Sequence, residues 1–121
     1  LLEAAWRAFD AAAERATGAE LRKGPRGGGR ELGRIRSHVD GADEGYLTKL
    51  GSKPPKGDPA DAAGATPRLR RAALAALEAR GRGQEPPDAN RTSRRWSPRY
   101  YVRRAAWHAL DHAWEIEDRL P

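Results

Sequence analysis

Trp107-His108-Ala109-Leu110-Asp111-His112-Ala113-Trp114-Glu115 lies inside an uninterrupted segment from Pro98 to Arg119. Ser97 is a favourable N-cap, Pro98 a favourable first helical residue, and no Gly or Pro recurs before Pro121. The segment predicts one long helix. His108 and His112 stand four apart on it, so both imidazoles leave the same face, one turn from each other. Two such imidazoles suit two cis positions on one metal ion. The plainer alternative is a pair of polar residues at the rim of a core.

The third and last His of the chain is His38. It falls in a second predicted helix, residues 30–50, whose apolar stripe reads Ile35, Val39, Ala42, Tyr46 and Leu50. His38 sits beside that stripe and points toward the core edge. Gly41 and Gly45 weaken this helix, and a use for them is close approach of another backbone or a ligand beside His38. One His on one helix and an i,i+4 pair on another suit a facial triad. Neutral imidazoles favour zinc, nickel, iron or cobalt over magnesium or calcium. Three protein ligands with an open position is the pattern of catalytic sites. Asp111 and Glu115 lie on or near the same surface, and either could orient an imidazole. Their alternative is a solvated face.

The remaining segments are helical or irregular. Residues 1–17 predict a first helix with Leu2, Ala5, Trp6, Phe9 and Ala13 on one stripe and Gly18 as its stop. Residues 24–29, Gly-Pro-Arg-Gly-Gly-Gly, read as a connector. They lack the Gly-Lys-Ser/Thr ending of a phosphate-binding loop, and no strand precedes them. Residues 51–66 form a long connection that permits a crossover, as in some four-helix bundles. Thr66-Pro67 repeats the cap-then-Pro start signal for a third helix, residues 67–80, with Leu69, Ala73, Ala76 and Leu77 facing inward and Gly81 ending it. Strand formers are scarce, so the predicted class is all-α: a four-helix bundle with a long crossover between helices 2 and 3, in a single domain over residues 1–121.

Composition narrows the chemistry. The chain has no Cys, which removes disulfides, thiolate ligands and a cysteine nucleophile. No stretch approaches the ~20 apolar residues of a membrane span, and no signal-peptide pattern is present, so a cytoplasmic location is the expectation. The chain lacks Met and begins in mid-helix at Leu1, which reads as a fragment without its N-terminal part. Net charge is +6. Within residues 91–104, Arg side chains alternate with Trp96, Tyr100 and Tyr101, a combination single-strand nucleic-acid binders use. A non-catalytic nucleic-acid or anion-binding module is therefore the alternative function.

Two helix motifs fail on inspection. His108-Ala-Leu-Asp111-His112 has Asp where the inverted zinc-protease pattern places its Glu base. Di-iron bundles need Glu-x-x-His pairs, whereas this chain offers the reverse order, His112-x-x-Glu115, once. The chain does resemble the DinB-like proteins, relatives of mycothiol- and bacillithiol-dependent transferases and of mycothiol-dependent maleylpyruvate isomerase. The matching pieces are Arg34-Ile35-Arg36-Ser37-His38-Val39, with Tyr46-Leu47 following, and Arg103-Arg104-Ala105-Ala106-Trp107-His108-Ala109-Leu110-Asp111-His112.

The resemblance implies His38, His108 and His112 as ligands of one divalent metal, zinc, nickel or iron. It also implies a small-molecule substrate and a low-molecular-weight thiol as co-substrate. The implied activity is a thiol-dependent transferase or isomerase, or a hydrolase, with no membrane partner and with room for a homodimer. Arg104, one turn before His108, could hold a carboxylate of thiol or substrate, and Tyr46, two turns from His38, could line the open position. Gly41, Gly45, the Ala-heavy third helix and the lack of a visible second domain depart from relatives.

Overall fold

The computed structural model describes residues 1–23, 29–86 and 95–121. It has the expected all-α class of the helical bundles: four α-helices, and no strand among the described residues. They are α1 (Leu2–Ala16), α2 (Leu32–Leu50), α3 (Ala65–Gly81) and α4 (Pro98–Arg119), with a short 3-10 helix at Pro59–Gly64 inside the long α2–α3 connection. No helix among the described residues is long and apolar enough to cross a membrane. The chain clusters into two compact units, Leu1–Val39 with Val102–Pro121, and Asp40–Tyr101.

In the first unit α1 buries the expected stripe, Leu2, Ala5, Trp6, Phe9 and Ala13, and adds Ala12 and Ala16. Ile35 and Val39 of α2 and Ala105, Ala106, Ala109, Ala113 and Ile116 of α4 are buried too. Much of this core is methyl groups, so helix faces can approach closely and a few bulky side chains carry most of the apolar burial. Two segments distant in sequence are tied by backbone: the Arg22 N–H donates to the Arg119 carbonyl at 2.8 Å, and the Arg22 guanidinium donates to the Asp118 carbonyl. Arg15 pairs with Glu117 at the surface.

Among the described residues of the second unit, Asp43, Leu47, Leu50, Gly51, Leu69, Ala73 and Tyr101 are buried. Ala42 and Tyr46, expected on the α2 stripe, are only half-buried; Asp43 and Leu47 take the buried positions. The bulkier Leu47 wins the core, and Tyr46 turns its ring to Trp96, with centroids 5.2 Å apart. Burial raises the Tyr101 hydroxyl well above its ordinary range, and the Asp43 carboxylate adds to the shift.

Helix ends follow local chemistry. Ser97 Oγ accepts from the Tyr100 N–H at 3.2 Å, the expected cap of α4. Gly51, at φ 103°, closes α2: its N–H donates to the Thr48 carbonyl and that of Ser52 to the Leu47 carbonyl. The same pair of bonds closes α3 around Gly83 at φ 79°, two residues beyond the expected stop at Gly81. Thr66 does not cap α3. The helix begins at Ala65 without a side-chain cap, and the Thr66 hydroxyl donates to Asp40 instead. Gly41 and Gly45 are exposed, with open space where a Cβ would stand, so neither serves a close approach.

Ile116 is fully buried in the methyl-rich first unit, where little neighbouring bulk can fill a void. Ile116→Ala is expected to destabilise the chain by about 2–5 kcal/mol, read as a lower urea midpoint at unchanged slope. A loss under about 1 kcal/mol would contradict this description of the core.

Candidate metal centre

The first unit brings all three His residues of the chain together. α4 presents His108 and His112 on its buried face, at 7% and 8% exposure, and α2 supplies the half-buried His38. The Nε2 atom of His108 lies 3.2 Å from Nε2 of His38 and 3.1 Å from Nε2 of His112. One ring nitrogen of each residue falls in a set whose members all lie within 4.8 Å of one another. The rings are not stacked. Their interplanar angles are 59° to 79°, so the three imidazoles meet edge to edge around a common point.

The tautomer of His112 follows from its other nitrogen. Nδ1 lies 2.6 Å from Glu115 Oε2. A carboxylate only accepts, so Nδ1 carries the proton and donates, which leaves the Nε2 lone pair aimed at the other two imidazoles. Glu115 is held in turn. Its Oε1 accepts from Arg119 Nη1 at 3.2 Å, and Arg119 Nε donates to the Arg22 carbonyl at 2.7 Å. Gly29 runs beside the same guanidinium at φ 140°, and a Cβ there would stand 2.7 Å from Arg119 Nη2. A chain of contacts thus runs from the backbone of residue 22 through Arg119 and Glu115 to one imidazole.

Burial works against charge on two of the three imidazoles. Burial is the main cause lowering the His108 pKa to about 4; His112, His38 and Arg104 push the same way and Asp111 opposes them. His38 is lowered too, first by burial, then by Arg30 and His112, against Glu115. Neutral imidazoles keep lone pairs available, which protonated ones do not.

The donor set fits a divalent metal of the zinc, nickel and iron group. Metal–nitrogen bonds of about 2.0–2.1 Å put neighbouring nitrogens about 2.9 Å apart in octahedral and about 3.4 Å apart in tetrahedral geometry. The two close Nε2–Nε2 separations fall between these limits.

The other sequence candidates are placed as follows. Glu115 lies on His112, as one of the two expected orienting carboxylates. Asp111 is exposed and acts on His108 only through its charge. Arg104 also acts on His108, and its guanidinium lies 5.1 Å from the centre of the Trp107 ring. Tyr46 belongs to the second unit, where it packs on Trp96. In the Arg-rich segment, residues 91–94 lie outside the described residues. Trp96 also meets Tyr100, with centroids 4.8 Å apart, and Arg95, Trp96, Ser97, Tyr100 and Lys49 line an open hollow of about 640 Å³. Arg119 was not among the sequence candidates. Its i,i+4 spacing from Glu115 is the signal that could have found it.

No protein-family model, curated protein or solved structure matches the chain.

The lowered pKa of His108 bears on the stability of the metal-free protein. His108 binds a proton below its reference pKa of about 6.5 when unfolded, but only near 4 when folded. Between those values the unfolded chain holds more protons, so stability rises with pH and is lost as pH falls. Taking chelator-treated protein from about pH 7 to about pH 5 should lower its melting temperature, at up to about 1.4 kcal/mol per pH unit for this group. His108→Gln should flatten that slope. A melting temperature insensitive to pH in the wild type would contradict a buried His108 that resists protonation.

Proposed function

We propose that the chain is a DinB-like protein that holds one divalent metal ion on His38, His108 and His112. On this reading it acts on a small molecule as a thiol-dependent transferase or isomerase, or as a hydrolase. The observation that carries the reading is the convergence of three imidazole edges, with the His112 ring held by Glu115. Zinc, nickel or iron suits the nitrogen donors. When bound, such an ion lowers the pKa of a thiol or water in its open position and so supplies a nucleophile near neutral pH.

The chain's own residues do the rest. Glu115 keeps a proton on Nδ1 of His112, which turns its Nε2 toward the site. Arg104 contributes positive charge on the His108 side, favourable for a carboxylate-bearing thiol or substrate. A cytoplasmic setting, where low-molecular-weight thiols stay reduced, belongs to the same proposal. The nucleic-acid alternative draws on residues 91–104, but Trp96 there is engaged by Tyr46 and Tyr100, which favours packing over base stacking.

The test is a titration of a carboxylate-bearing thiol into cobalt-loaded protein, followed by the cobalt spectrum. A thiol-dependent spectral change is expected in the wild type. Arg104→Ala should keep the metal, because guanidinium does not ligate, and weaken thiol binding by about tenfold. His112→Ala should lose the metal. No spectral response to thiol in the wild type would sink the transferase reading.

A further inference from the structure

We propose that the outward face of α4 is a homodimer interface, on which the same helix of a second copy docks antiparallel. Trp107 and Trp114 are 52% and 56% exposed, among the few large apolar side chains left in solvent. They stand seven residues apart, two helical turns, and so share one stripe about 10 Å long. Two exposed indoles in line on a rigid helix invite a partner more than scattered apolar residues do.

The flanking charges identify that partner. Arg103 and Arg104 lie on the N-terminal side of the two indoles, and Glu117 and Asp118 on the C-terminal side. Consider a two-fold axis passing between Leu110 and Asp111. It sets Trp107 against Trp114 of the partner subunit, Arg103 against Asp118 of the partner subunit, and Arg104 against Glu117 of the partner subunit. Away from the axis these pairs are apolar with apolar or cation with anion, the self-complementarity that an isologous interface requires, while at the axis itself Leu110 meets Asp111 of the partner subunit. A parallel pairing would instead set Arg against Arg and acid against acid. An anionic lipid surface or nucleic acid would meet the acidic end of the stripe.

Within the chain Glu117 also holds Arg15 and Arg104 lies over Trp107. The Arg103–Asp118 exchange therefore sets the register. An indole buries about 150–250 Å² when fully covered, so the exposed halves of four rings supply about 400 Å². With the Arg and acid stems beside them, the patch sits at or below the low end of stable interfaces, about 1,200 Å². The dimer proposed is therefore weak and reversible rather than obligate.

Sedimentation velocity on the full chain across micromolar concentrations tests this, with helicity followed by circular dichroism. The wild type should pass from monomer to dimer. Trp107→Glu should remain monomeric with unchanged helicity, since it alters an exposed residue. Arg103→Asp and Asp118→Arg should each weaken dimerisation by about tenfold or more, and the two together should restore it by exchanging the pair. A wild type that stays monomeric, or joins a different partner only, overturns the proposal. So does a dimer that the Trp107 and charge-reversal variants leave intact, or whose combined reversal fails to restore association.

Discussion

Three imidazoles gathered edge to edge, two of them buried, impose the constraint on which the first unit depends. Each brings a ring nitrogen within 3.2 Å of a neighbouring one, and neither of the two Nε2–Nε2 contacts includes a carboxylate. If two of them were protonated, like charges would meet in a desolvated space, so the arrangement holds at most one charged ring and needs a fixed distribution of protons. Glu115 fixes that distribution from outside the cluster. Its carboxylate answers to Arg119, and Arg119 answers to the backbone of residue 22. The reciprocal bond from the Arg22 N–H to the Arg119 carbonyl closes the circuit. Local tethering at the end of α4 is therefore also the support of an imidazole about two turns away.

α4 serves two purposes because its faces are separated by the helical period. The face toward the core carries Ala105, Ala109, Ala113 and Ile116 together with His108 and His112. The opposite face carries Trp107 and Trp114. Small residues around the histidines leave space for the imidazole edges to meet, while bulk is displaced outward. This distribution explains a long helix whose largest side chains face solvent.

Much of this was legible in the residues. Ser97-Pro98 and the unbroken run that follows located α4, because a capped, Gly-free segment has few alternatives. The i,i+4 pair placed two imidazoles on one face, and the stripe around Ile35 and Val39 turned His38 inward. Other features depend on tertiary competition that spacing does not record. Thr66 abandoned its cap for Asp40 because a charged acceptor is the stronger partner. Leu47 displaced Ala42 and Tyr46 from the core, which buried Asp43. Gly83 rather than Gly81 took the left-handed position at the end of α3. Arg119 escaped notice because its anchor is a backbone carbonyl, and backbone partners leave no mark on residue identity.

The central claim is that the three imidazoles form one metal-holding group. Elemental analysis of protein purified without chelators and without a His-rich tag tests it most directly, beside the same measurement on His38→Ala. The account predicts one zinc, nickel or iron per chain in the wild type and a near-complete loss when His38, the single ligand from α2, is removed. Metal-free wild type that takes up no divalent ion on addition, or metal content unchanged in His38→Ala, would contradict it.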